Sequence, residues 1–226
     1  VNLALAASFS FARFHALAEN GLRRSAPELG DLIARPRSDH DHQEFALPRQ
    51  DEQGLKPAAV LVPVINRPCG ATVLLTMRAS ALRDHSGQIA FPGGKIDARD
   101  ASPVEAALRE AEEEIGLARA HVTPLGFLDA YLTGSGYRIV PVVAAVDPSF
   151  VLEINTSEVD EAFETPLGFL MNPANHQRHG REWQGVYRSY YAMPYGERYI
   201  WGATAGILRN LHDRLLGVAI LPEGLN

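Results

Sequence analysis

Four glutamates, Glu110, Glu112, Glu113 and Glu114, fall within five residues. On a helix, Glu110, Glu113 and Glu114 are related by i+3 and i+4 and share one face, while Glu112 points elsewhere. Like charges at those spacings destabilise a helix by about 0.2–0.5 kcal/mol per pair. Either the face is solvated, as most glutamate runs are, or a positive partner sits on it. Residues 93–117 hold seven acids against three bases. A hard divalent cation such as Mg²⁺, which takes carboxylate oxygens and shares its octahedron with water and phosphate, would convert that repulsion into binding. Just upstream, Gly93 and Gly94 would let backbone approach a ligand closely. Arg109 adjoins the acids and could pair with Asp97 or Asp100, tying loop to helix.

The elements that must hold these residues are legible in part. "SPVEAALREAEEEIGL" reads as a helix. Ser102 suits the N-cap, Pro103 the first helical position, and Glu105 stands where a capping box has its acid. Ala106, Ala107, Ala111 and Ile115 supply a buried side, and Gly116 suits a left-handed C-terminus. "AAVLVPVI" (58–65) and "ATVLLTMR" (71–78) read as strands joined by the turn "NRPCG". Further strands are expected at 122–131 and 137–146, a short helix at 161–171, a strand within "WQGVYRSYYAMPY" and a closing helix over "GATAGILRNLHDRLL". Residues 4–20 allow a helix with Leu5, Phe9, Ala12 and Ala16 on one face. The proline-broken polar stretch 35–57 reads as a linker or surface loop. Strands and helices mix without strict alternation, which favours an α+β domain, an α/β/α sandwich on a mixed β-sheet. The expected division is an N-terminal helical arm and linker (1–50) and a hydrolase-type domain (51–226).

The chain has 226 residues, 46% of them hydrophobic and 21% charged, enough for a substantial core. A formal net charge of −6 argues against a nonspecific nucleic-acid binder. Cys69 is the one cysteine, so no internal disulfide can form, which suits a reducing, cytoplasmic setting. No apolar run reaches the roughly 18 residues of a membrane span, and the apolar start reads as a helix rather than a signal peptide. The "DHDH" segment has His40 and His42 without the cysteine or histidine spacing of a zinc site. No Gly-x-Ser-x-Gly elbow is present.

"GG", then an acid, then "REAEEEIGL" resembles the Nudix box: Gly, Glu, then Arg-Glu-apolar-any-Glu-Glu-any-Gly-apolar. Residues 109–117 match its second half at every position. The first half departs, since Asp100 stands where the pattern has Glu and Arg109 comes one residue late, which leaves the loop partner of Arg109 open. The resemblance implies hydrolysis of a nucleoside diphosphate linked to another group. It implies that Glu110, Glu113 and Glu114 ligate Mg²⁺ or Mn²⁺, and that a further loop glutamate is the base. Glu158, in "NTSEVDEAFETPL", is the candidate and Glu161 a weaker one. A plain cap on the following helix is as good a reading of Glu158.

The segment "LLTMRASALRDHSGQIAFPGG" (74–94) resembles a second signature, that of coenzyme A pyrophosphatases within the Nudix superfamily. Leu74, Leu75, Thr76, Arg78, Ala79, Arg83, Gly87, Phe91, Pro92, Gly93 and Gly94 all match it. A guanidinium takes phosphate oxygens in a bidentate fork, so Arg78 and Arg83 are candidates for the pyrophosphate or the 3′-phosphate of coenzyme A. Pinning the loop to the acidic helix is an equal reading of both. Ser135 and Tyr137, in "TGSGYRIVPVVA", could line the pocket or simply turn the chain into a strand. The resemblance thus implies cleavage of coenzyme A or its thioesters to 3′,5′-ADP and a phosphopantetheine product. Alternatives are a Nudix pyrophosphatase for ADP-ribose or a dinucleotide such as NADH, and a nucleotide-sensing module that cleaves nothing. The partner expected is a small-molecule substrate, with no nucleic acid and no membrane, and a homodimer left open.

Overall fold

The computed structural model describes residues 9–27, 37–38, 54–82, 86–183 and 186–217. Its central feature is a long strand, β2 (Lys56–Arg67), paired parallel with β8 (Tyr137–Val146) along ten residues from Lys56↔Tyr137 to Ile65↔Val146. On the other edge of β2, β3 (Gly70–Arg78) returns through the turn at Pro68–Cys69 as an antiparallel hairpin. The same edge receives the short β5 (Gly93–Lys95) nearer the start of β2. β9 (Val159–Pro166) runs along the outer edge of β3, and β4 (Ile89–Ala90) pairs with the far end of β3 on the β2 side. Outward from β8 lie β6 (Val122–Phe127) and β7 (Tyr131–Leu132), with β1 (Arg37–Ser38) parallel to β7. A second, three-stranded antiparallel sheet is formed by β10 (Gln177–Trp183), β11 (Val186–Tyr195) and β12 (Arg198–Trp201).

Alternation along the strands builds two cores. Val62 and Val64 of β2, Val73 and Leu75 of β3 and Val143 of β8 join one cluster. Ala59, Leu61 and Ile65, Leu74, and Val142 and Ala144 join the other. The first is covered by α1 (Phe11–Gly21) and α4 (Gly202–Leu216), through Phe14, Ala18, Leu208 and Leu211. The second is covered by α2 (Pro103–Ile115). This is the expected α/β/α sandwich on a mixed sheet.

Local chemistry explains α2. Ser102 Oγ accepts the Glu105 amide at 3.2 Å, Pro103 begins the helix and Gly116 closes it at φ 67°. The acid of the expected capping box does not reach back; the Glu105 carboxylate pairs with Arg119 at 3.0 Å instead. Ala106, Ala107, Ala111 and Ile115 are fully buried, and the three alanines let the helix lie close on the sheet.

Two expectations change. Residues 161–171 form no helix beyond α3 (Leu167–Leu170). Residues 159–166 are strand β9, with Val159, Phe163 and Thr165 buried. The open edge of β3 offers a ladder of hydrogen bonds that overrides the helix preference of Glu and Ala. In α1 the buried stripe is Phe14 and Ala18, with Ala12 and Ala16 exposed, because the larger ring takes the core. Leu5, His40 and His42, like most of the 35–57 stretch, lie outside the described residues.

Candidate active site

Arg109 organises the acids, and its guanidinium uses all of its nitrogens. Nε and Nη2 hold Asp100 in a bidentate fork at 3.0 and 2.9 Å. Nη2 also donates to the Lys95 carbonyl at 3.1 Å, and Nη1 donates to Glu110 at 2.7 Å and Glu113 at 3.0 Å. Asp100, six residues after Gly94, is therefore the loop partner that the extra residue had left open. Its second oxygen also accepts the Asp97 amide at 2.8 Å, which closes the loop on itself. The hydrogen bond from Arg109 is the main reason the Asp100 carboxyl is lowered to about 2. The same bond, with Glu110 beside it, raises Arg109 above its ordinary value.

The two glycines have separate reasons. Gly93 has φ 153°, and a Cβ there would stand 2.4 Å from the Ala59 carbonyl oxygen and 2.6 Å from Val60 Cα. Its amide donates to Glu114 Oε2 at 3.1 Å. A Cβ on Gly94 would stand 2.5 Å from Glu110 Oε2. The Gly pair thus brings loop backbone directly onto two of the three facing carboxylates.

Those carboxylates are unequal. Glu114 is buried, with its side chain at the seam of loop and helix, Glu110 is partly buried and Glu113 is half exposed. Burial pushes Glu114 up to about 8; the Gly93 amide and Arg78 oppose the rise, and Glu110 and Glu158 add to it. Burial also raises Glu110, against Arg109, with Glu113 and Glu158 contributing. The raised carboxyls of Glu110 and Glu114 are what a bound cation would relieve. The donor set is all oxygen and suits a hard divalent ion. Arg109 occupies one oxygen of Glu110 and one of Glu113, Arg99 the other oxygen of Glu113 at 3.4 Å, and Gly93 one of Glu114, which leaves Glu110 Oε2 and Glu114 Oε1 open among the described residues. As they stand, no three acidic, histidine or cysteine side chains among the described residues converge on one ion-sized point. The residues fit such an ion by charge and donor type.

Glu158 is brought to this cluster. The segment before it crosses the C-terminus of α2, where Glu153 N–H donates to the Ile115 carbonyl at 3.0 Å and Asn155 N–H to the Glu114 carbonyl at 2.9 Å. Its own carbonyl accepts the Ala79 amide at 2.8 Å, which fastens it to the end of β3. The next element in the chain is strand β9, so Glu158 caps no helix. Glu161 is engaged by Arg198 and lies on the strand. Between Met77 and Arg78 the β3–β9 register slips by one residue, a bulge that skips Asp160 and re-aims the chain at Arg78. Arg78 Nε is buried without a hydrogen-bond partner among the described residues, and its charge acts on Glu114.

Arg83 lies outside the described residues. Ser135 and Tyr137 sit in a turn pinned by Thr133, whose Oγ1 accepts the Tyr137 amide at 3.0 Å and contacts Ser135 Oγ at 3.0 Å. Lys56↔Tyr137 and Ala58↔Lys95 place this turn at the Gly93–Lys95 end of the sheet, across β2 from it. Asn155 was not singled out in sequence. Its one signal is an asparagine followed by Thr and Ser, a setting for a side-chain-closed turn.

A family model described as NUDIX domain matches residues 55–183. A protein named "Uncharacterized Nudix hydrolase NudL" from Yersinia enterocolitica serotype O:8 is 41% identical over 158 residues, covering 70% of this chain and 80% of its own. The protein of the same name from Yersinia pestis (strain Pestoides F) is 42% identical over 158 residues, covering 70% and 79%. Among solved structures, the Nudix hydrolase RenU from M. Smegmatis is 26% identical with a TM-score of 0.43, over 50% of this chain and 71% of that one. Nudix hydrolases cleave pyrophosphate bonds in nucleotide-like substrates and generally use divalent metal ions. With the match running from β2 through the glutamate helix to β10, the protein belongs to the Nudix hydrolase family.

Proposed function

We propose that the protein hydrolyses the pyrophosphate bond of coenzyme A or its thioesters, giving 3′,5′-ADP and (acyl-)4′-phosphopantetheine. The observation that carries this reading is the 74–94 segment, whose Arg78 presents a buried Nε, without a partner among the described residues, beside the acidic cluster. A guanidinium there answers the charge of a substrate phosphate. Residues 51–226 form the hydrolase domain and residues 1–50 its N-terminal arm, in a cytoplasmic protein.

Glu110, Glu113 and Glu114 would hold Mg²⁺ or Mn²⁺. When bound, the cation neutralises the pyrophosphate and lowers the pKa of a water. Arg109 keeps the helix face and the loop in one register. The Gly93 amide fixes Glu114, and the missing side chains of Gly93 and Gly94 let the loop lie directly on β2 and on the Glu110 carboxylate. Arg78, with Arg83, takes phosphate charge; Ser135 and Tyr137 line the far end of the pocket. Glu158 accepts the proton of the water that attacks phosphorus in line, so that catalysis is mostly positioning and charge.

The test is product analysis. Purified protein is incubated with coenzyme A, ADP-ribose and NADH, with Mg²⁺ and separately with Mn²⁺, and the products are identified by chromatography and mass spectrometry. Release of 3′,5′-ADP and phosphopantetheine from coenzyme A, with the other two intact, is expected. Turnover of ADP-ribose or NADH in its place would refute the reading of residues 74–94. No turnover of any of the three would point to a nucleotide-sensing module. Arg78→Ala is expected to raise KM for coenzyme A about tenfold, the loss of one charge-assisted hydrogen-bonding group.

A further inference from the structure

The hydrogen bonds of Asn155 divide into two jobs. Its backbone amide donates to the Glu114 carbonyl at 2.9 Å, anchoring the segment to the last turn of the glutamate helix. Its side-chain Oδ1 accepts Ser157 N–H at 3.2 Å and Ser157 Oγ–H at 2.6 Å, which closes a tight turn. Its Nδ2 donates to Glu158 Oε1 at 3.2 Å. The Asn155 carbonyl also accepts the Glu158 amide at 3.0 Å. Backbone and carboxylate of Glu158 are thus both referred to Asn155, and Asn155 is referred to Glu114. The Ala79 amide, next to Arg78 in the chain, fixes the Glu158 carbonyl at 2.8 Å.

We propose that Asn155 is a positioning residue, which holds Glu158 by one carboxylate oxygen so that the other faces Glu110 and Glu114. The inference rests on Glu158 being the base. The proton lost by the attacking water goes to the free oxygen of Glu158. The new bond joins water oxygen to phosphorus, the bridging P–O bond breaks, and its electron pair stays on the leaving phosphate. A half-buried carboxylate on a turn would otherwise sample several rotamers, and a fixed one spares that ordering in the transition state. The charge of Glu158 is felt at both Glu110 and Glu114, so its carboxylate lies near theirs.

Asn155→Asp separates the two jobs of the side chain. It keeps an oxygen for the Ser157 donors, so the turn survives, and replaces the Nδ2–H that holds Glu158 with a carboxylate oxygen that repels it. Steady-state kinetics are run on whichever pyrophosphate the wild type cleaves, so that failure of the coenzyme A reading leaves this test standing. The expected result is a fall in kcat of about tenfold or more at unchanged KM, with an unchanged melting temperature. In a Glu158→Gln background, Asn155→Asp is expected to have no further effect, because the two residues act as one unit. A kcat within twofold of wild type, or an equal loss in the Glu158→Gln background, would overturn the proposal. So would a wild type that cleaves no pyrophosphate, since there would then be no base to position.

Discussion

At the scale of single residues, the site is governed by how much water each acid keeps. Glu113 keeps half of its exposure, while Glu114 keeps almost none and sits at about 8 because burial disfavours its charge. The carboxylate is held there by one amide, that of Gly93. Glu114→Gln preserves the acceptor for that amide and removes the charge. The expected outcome is an activity loss of at least about a hundredfold, the upper end of what a ligand's neighbours cost, with a melting temperature in metal-free buffer no lower than wild type. Near-normal turnover in that variant would sink the metal assignment. The arginine beside the acids behaves in the converse way: Arg109 keeps only 13% of its side-chain exposure and directs its donors to Asp100, Glu110, Glu113 and the Lys95 carbonyl.

At the scale of elements, the loop and the helix form one unit because the loop has no side chains at 93 and 94. The two glycines are expected to fail differently. A Cβ at Gly93 meets backbone of β2, which cannot yield, so Gly93→Ala is expected to lower stability by more than about 1 kcal/mol, read as a drop in melting temperature. A Cβ at Gly94 meets only the end of the Glu110 side chain, which can swing away. Gly94→Ala is therefore expected to fold normally and lose activity. Equal thermal losses in the two variants would contradict this division. The bulge at Arg78 belongs to the same scale, since it is the pairing of β3 with β9 that carries Arg78 and Glu158 to one place.

At the scale of the whole molecule, a second polar knot ties distant segments together on the face opposite α2. Asp129, after β6, accepts from Asn210 Nδ2 at 2.9 Å and Arg214 Nε at 3.2 Å on α4, and lies 3.6 Å from Arg23 at the end of α1. Its amide donates back to Asn210 at 3.0 Å. Burial raises the Asp129 carboxyl, but Arg214 and Asn210 outweigh it and the group ends below its ordinary value. A depressed acid contributes stability above its unfolded pKa and loses it as pH falls through the folded one. Acid unfolding is thus expected to begin below about pH 4, and Asp129→Asn is expected to flatten that limb while costing about 1–3 kcal/mol near neutrality. Thermal melts from pH 3 to 7 on both proteins measure it; parallel curves would rule out Asp129 as a source of the acid sensitivity.

Sequence alone determined the glutamate helix, its caps, its alanine face and the adjoining glycines, because spacing within one helix and the φ > 0 preference of glycine are local properties. It also determined the β2–β3 hairpin and the closing helix, where periodicity and turn residues agree. It misplaced the helix at 161–171, since whether those residues pair depends on the free edge of β3, a partner more than eighty residues away in the chain. The same kind of dependence hid which acid answers Arg109. Asp97 and Asp100 are equivalent by composition, and only the closed loop, with the Asp97 amide on Asp100, selects the second. Of the loop that carries Asn155 and Glu158, the family resemblance singles out Glu158 as a candidate base, while Asn155 carries no such signal. The loop's position is set by two carbonyls at the end of α2 that need donors, and by a strand edge that supplies the rest.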